Sequence, residues 1–180
     1  MDDLPALREA LKRVAVALKE TDVPFALAGG YAAWARGAPE AGHDVDFLVR
    51  PDDVERVRQA LADDGFDVVS PPEDWLFKVG TDGVTVDVLH RAAHRGSVER
   101  LLDHATPVAV LSVEMPVLTA TGVVVEKLSA LDEHYCDFGA VLPVVRALRE
   151  QVDWDVVRTE TEGNPFAASL LHLAGLLGLA

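Results

Sequence analysis

Basic side chains are scarce: 16 Lys and Arg, only four of them Lys, stand against 30 Asp and Glu, for a formal charge of −14. A protein that grips the phosphate backbone without regard to sequence needs Lys and Arg to release counterions, so that class is disfavoured and at most a local basic groove remains. Cysteine is nearly absent, and the single Cys136 excludes an intrachain disulfide. The longest apolar stretch, Phe166 to Ala180, is shorter than the roughly 20 residues of a spanning helix and contains His172. Met1-Asp2-Asp3 lacks the basic start and apolar run of a signal peptide, which makes a cytoplasmic location the expectation. What is present is 180 residues, 49% hydrophobic and 26% charged, enough for one globular domain with a real core.

Apolar residues at Leu4, Leu7, Leu11, Val14, Ala15 and Leu18 recur at three- and four-residue steps and predict an amphipathic helix. Phe25 to Ala28 is a short apolar strand that stops at Gly29-Gly30, and the Ala-rich segment Tyr31 to Arg36 predicts a helix after it. A loop from Gly37 to Gly42 leads into Asp44 to Val49, which alternates and then becomes wholly apolar, as a central strand does. Pro51-Asp52-Asp53 opens a helix with the buried stripe Val54, Val57, Leu61, closed by Gly65. Short strands are expected at Phe66 to Val69, Trp75 to Val79 and Val84 to Leu89, the last two joined by a tight turn at Asp82-Gly83. From about Ala120 the pattern is helical: Val124 to Glu133, Val141 to Gln151, Trp154 to Thr159 and Pro165 to Leu177. The expected fold is α/β (α+β), a mixed β-sheet with flanking helices over residues 1–119 and a helical layer, 120–180, packed on it.

Asp44-Val45-Asp46 is the chemically informative feature. On a strand, side chains two apart share a face, about 7 Å between Cα atoms, so two carboxylates enter one site. Such a pair repels unless a cation lies between its members, and hard oxygen donors suit a divalent metal. A second triplet, Asp153-Trp154-Asp155, reads as a solvated helix start. The first is distinguished by its order in the chain: an apolar strand, a glycine pair opening a helix, the acidic strand, then Asp87 inside Val84 to Leu89. Glycines let backbone approach a phosphate closely, and a helix N-terminus offers free amides to it. Asp87, among β-branched neighbours, is a third metal ligand or a general base, because an unpaired charge there would be costly.

This arrangement resembles the nucleotidyltransferases of the DNA polymerase beta superfamily, and within it the small aminoglycoside and lincosamide nucleotidyltransferases and the abortive-infection type toxins. The likeness runs from Phe25 to Leu89 and includes Gly29-Gly30-Tyr31-Ala32 and His43 before Asp44. It implies a minimal nucleotidyltransferase fold and transfer of an NMP from an NTP co-substrate to an acceptor hydroxyl. It further implies two Mg²⁺ ions on Asp44 and Asp46, triphosphate contacts from Gly29 and Gly30, and Asp87 as metal ligand or base. Lys127, on the first helix after the sheet, matches a triphosphate-binding lysine, or else is a surface lysine paired with a nearby acid. Gly30 departs from the serine common at that position, removing a hydroxyl from the phosphate site.

The charge balance favours a hydroxylated small molecule as acceptor, antibiotic-like and cationic, over RNA; Arg91, Arg95 and Arg100 form the one basic cluster visible after Asp87. Toxin-type modification of tRNA and a catalytically silent regulatory relative are the alternatives. Other features have plainer readings. His90 and His94 lack the further ligands of a zinc site. Cys136 reads as a buried thiol, Trp75 as core, Arg146 and Arg149 as surface ion pairs. The apolar tail Ala167 to Leu179 reads as a docked last helix with room for a homodimer contact.

Overall fold

The computed structural model describes residues 4–93 and 98–180. Seven strands form one mixed sheet: β1 (Phe25–Ala28), β2 (Val45–Val49), β3 (Asp67–Val69), β4 (Leu76–Thr81), β5 (Val84–Leu89), β6 (Thr106–Val110) and β7 (Val113–Val117), in the order β3-β4-β5-β2-β1-β7-β6. β2 lies at the centre, as its apolar end requires, with β5 parallel on one side and β1 antiparallel on the other. The helices are α1 (Leu4–Glu20), α2 (Gly29–Ala35), α3 (Val54–Asp63), α4 (Val98–His104), α5 (Ala120–Ser129), α6 (Phe138–Leu148), α7 (Trp154–Glu160) and α8 (Pro165–Leu176). The architecture is the α/β fold expected.

Burial follows the periodicities. Leu11, Val14 and Leu18 of α1 and Val57 and Leu61 of α3 are fully enclosed, and the two helices pack together over the sheet. At about 25 cal/mol per Å² of apolar surface, each such side chain contributes roughly 1.5–3 kcal/mol, a gross value before chain entropy. On the other helical group, α2 packs on β1, β2 and α5, while α5 also meets α6, α7 and α8. Asn164 caps α8 by accepting from the amides of Phe166 and Ala167 while its amide donates to the Leu131 carbonyl, which ties the last helix to the end of α5. Among the described residues no helix is long and apolar enough to cross a membrane.

Several boundaries and burials differ from expectation. α4 and the β6–β7 hairpin were not legible in the sequence: the hairpin turns through Leu111 and Ser112, both at positive φ with neither Gly nor Asn, and Pro107 faces Pro116 across it. Cys136 is exposed in the loop before α6, not buried. Trp75 is 40% exposed just ahead of β4, not core. Neither position carries a local pattern that fixes which side faces solvent. Asp153 caps α7 through the amides of Asp155 and Val156, which confirms that second acidic triplet as a helix start. The last helix docks through Ala167, Leu170 and Ala174 and leaves Leu176 and Leu177 exposed.

Candidate active site

The glycine pair begins α2 itself, one residue after β1 ends, so the turn is tighter than a strand, loop and helix. Gly29 has φ +57°, and a Cβ on it would stand 1.9 Å from Asp46 Oδ2. Glycine is therefore required twice, by its left-handed backbone and by the carboxylate lying against it. Gly30 has a different reason: a Cβ there would meet the Ala41 Cβ at 2.6 Å. The loop after α2 occupies the space that the serine of the related motif would need, which accounts for the departure at this position.

Asp46 sits on β2 opposite Ala28 of β1 and in register with Asp87 of β5. Parallel neighbours in register place their side chains on one face, so these two carboxylates share a site by backbone geometry alone. Asp44 behaves differently. It precedes the strand, at φ +31°, and its side chain is 70% exposed and bonded to His43 Nδ1 at 2.8 Å. The alternation expected from Asp44 to Asp46 therefore does not hold, because the strand starts one residue late.

Burial, then the charges of Asp87 and Asp44, raise Asp46 to a pKa of about 6, with Lys127 and Lys78 opposing. Asp46 has no hydrogen-bond or ion-pair partner among the described residues. Lys127 on α5 is mostly enclosed; burial lowers its pKa and Asp46 partly restores it. Lys127 is thus half-buried on α5 and within electrostatic reach of Asp46, not on a fully solvated face. His90, at the end of β5, is lowered by burial and by Arg91.

Lys78 was not singled out from sequence. Its Nζ donates to Asp87 Oδ1 and Oδ2 at 2.8 and 3.0 Å from the adjacent strand β4. The signal was available: a two-residue turn at Asp82-Gly83 pairs Thr81 with Val84, and counting back along the hairpin pairs Lys78 with Asp87. The other basic residues near the sheet are engaged, Arg91 by Asp74 and Arg100 by Glu160, and Arg149 pairs with Glu150. Arg95 and His94 lie outside the described residues.

The donor set of three hard carboxylates, with Asp46 lacking an ion-pair partner among the described residues, fits a divalent ion chemically. As placed, Asp44 turns to His43 and Asp87 to Lys78, and among the described residues no group of three or more acidic, His or Cys side chains is gathered tightly enough to hold one.

Solved structures share this fold at low identity. The antibiotic-resistance factor ANT(2″)-Ia in complex with adenylyl-2″-tobramycin aligns at a TM-score of 0.64 with 12% identity, over 93% of this chain and 98% of that one. An antigenic nucleotidyltransferase-like protein from Paracoccidioides brasiliensis aligns at 0.52 with 12% identity, over 94% and 88%. JHP933 from Helicobacter pylori aligns at 0.50 with 13% identity, over 99% and 92%. No curated protein sequence matches the chain. A family model covers nearly all of it, residues 5–180, including the glycine turn, the acidic strands and the C-terminal helices, and by that match the chain belongs to the family described as uncharacterised nucleotidyltransferase.

Proposed function

We propose that the chain transfers a nucleoside monophosphate from an NTP to a hydroxyl of a small-molecule acceptor, at a site built from Asp44, Asp46 and Asp87. The observation that carries this reading is the in-register pair Asp46 and Asp87, with the Gly29 backbone pressed against Asp46. Two Mg²⁺ ions held by the three carboxylates would activate the attacking oxygen and screen the charge of the pyrophosphate leaving group. The chain's own residues supply the rest. Gly29 and Gly30 bring bare backbone and the first amides of α2 to the triphosphate. Lys127 supplies a desolvated positive charge from α5, where an anionic phosphate is held more strongly than at the surface. Asp87 accepts the acceptor's proton or ligates metal.

Residues 1–119 act in this reading as the catalytic unit and 120–180 as a helical layer that contributes Lys127 to it. The net charge of −14 supports a cationic hydroxylated acceptor, which an acidic cleft concentrates electrostatically. The structural relative bound to an adenylated aminoglycoside supports the same class.

The experiment that tests the site is the Asp87→Asn variant. Turnover is expected to fall about a thousandfold while nucleotide affinity changes less than about tenfold, the pattern of a group that acts mainly in the transition state. Equal losses in both, or a variant that does not fold, would make Asp87 structural.

A further inference from the structure

We propose that Lys78 is a positioning residue that holds the third carboxylate, Asp87, away from metal until nucleotide binds. This rests on the reading of the three aspartates as a metal site. The geometry is specific. Lys78 and Asp87 are cross-strand partners on β4 and β5, and the ammonium bridges both carboxylate oxygens, so no oxygen of Asp87 is without a cation. Asp87 is mostly enclosed, at 19% side-chain exposure, whereas Lys78 is 40% exposed and its long stem is free to swing toward solvent. Strand pairing fixes the Asp87 backbone. The exchangeable element is therefore the lysine.

Asp46, one strand over and in register with Asp87, has no ion-pair partner among the described residues. The site thus presents one unpaired carboxylate, its strand neighbour already neutralised and Asp44 turned outward to His43. A lone buried carboxylate is a weak ligand for a hard divalent ion, which takes several oxygen donors. The triphosphate supplies further oxygens and an anion that competes for the Lys78 ammonium. Ion and nucleotide then enter together, and Asp87 is released toward the reacting centre only when both are present. Such a device keeps free divalent ion from occupying the site without a substrate.

The test is binding of Mn²⁺ alone, followed by its electron paramagnetic resonance signal, to the full chain and to the variants Lys78→Met and Lys78→Arg. Met keeps the stem and removes the charge; Arg keeps the charge. Without nucleotide, Lys78→Met is expected to bind Mn²⁺ about tenfold more tightly than the parent, the size of one lost charge–charge contact at a half-exposed position. Lys78→Arg is expected to stay within about twofold of the parent, since its guanidinium still pairs with the carboxylate. With ATP present the parent and Lys78→Met should converge. Unchanged or weaker Mn²⁺ binding by a folded Lys78→Met, or an Arg variant that behaves like Met, overturns the role of Lys78 while leaving the metal site standing. A parent that binds no Mn²⁺ even with ATP overturns both, and that outcome is distinct from the first because the nucleotide arm fails as well.

Discussion

Replacing Asp46 by Asn is expected to abolish turnover and, in metal-free buffer, to make the protein more stable. The two effects have one cause. A carboxylate raised to about 6, against an ordinary value of 3.8, is an ionised group that the fold disfavours. The sign follows from linkage: well below pH 3.8 both folded and unfolded chains hold the proton and Asp46 costs nothing. Between 4 and 6 the unfolded chain releases it first, and stability falls until both states are ionised above about 6. At 1.36 kcal/mol per pKa unit the loss amounts to about 3 kcal/mol at pH 8. Asn carries no charge, so Asp46→Asn should recover this at pH 8, raising Tm on the order of 10 °C, and should recover only a small fraction of it at pH 4. Thermal unfolding in a chelator at the two pH values checks it. A variant no more stable at pH 8 than at pH 4, relative to the parent, would mean that Asp46 is not destabilised by its surroundings.

The second large effect is at Gly29. Gly29→Ala forces a residue with a Cβ into φ +57° and places that carbon inside the Asp46 carboxylate. The left-handed backbone alone costs on the order of 1–2 kcal/mol, and displacement of the carboxylate adds to it. A destabilisation of about 3 kcal/mol is expected, with loss of turnover because Asp46 leaves its place beside Asp87. Part of that cost belongs to the pair. In an Asp46→Ala background, Gly29→Ala should cost at least ~1 kcal/mol less, measured by denaturant unfolding of the four proteins of the cycle. Additive costs would show that the strain lies wholly in the backbone.

Much of this site is written locally in the chain. The apolar Phe25 to Ala28, the glycine pair and the acidic start of β2 follow one another within a few turns of sequence, and each has a residue-level reason for its type. Asp87 was legible for the same cause, a charge inside a β-branched run. Lys78 required one step more, counting a hairpin register, and Gly30 required knowing that the loop at Ala41 folds back onto it. The displacement of Asp44 out of β2 was not readable, since the sequence alternates through it and only its left-handed φ and the His43 contact turn it away. The β6–β7 hairpin stayed hidden because its prolines and its Leu-Ser turn carry none of the usual turn chemistry. Lys127 comes within electrostatic reach of Asp46 across about 80 residues of chain, a proximity set by how α5 lies against α2, which no local pattern encodes.

The central claim is tested most directly by incubating the protein with each NTP labelled at the α-phosphate, Mg²⁺, and either total tRNA or a panel of aminoglycosides and lincosamides. Label should move to a small molecule in the parent protein and not in Asp46→Asn. Label in RNA alone, or label transfer that survives the loss of Asp46, would contradict the account.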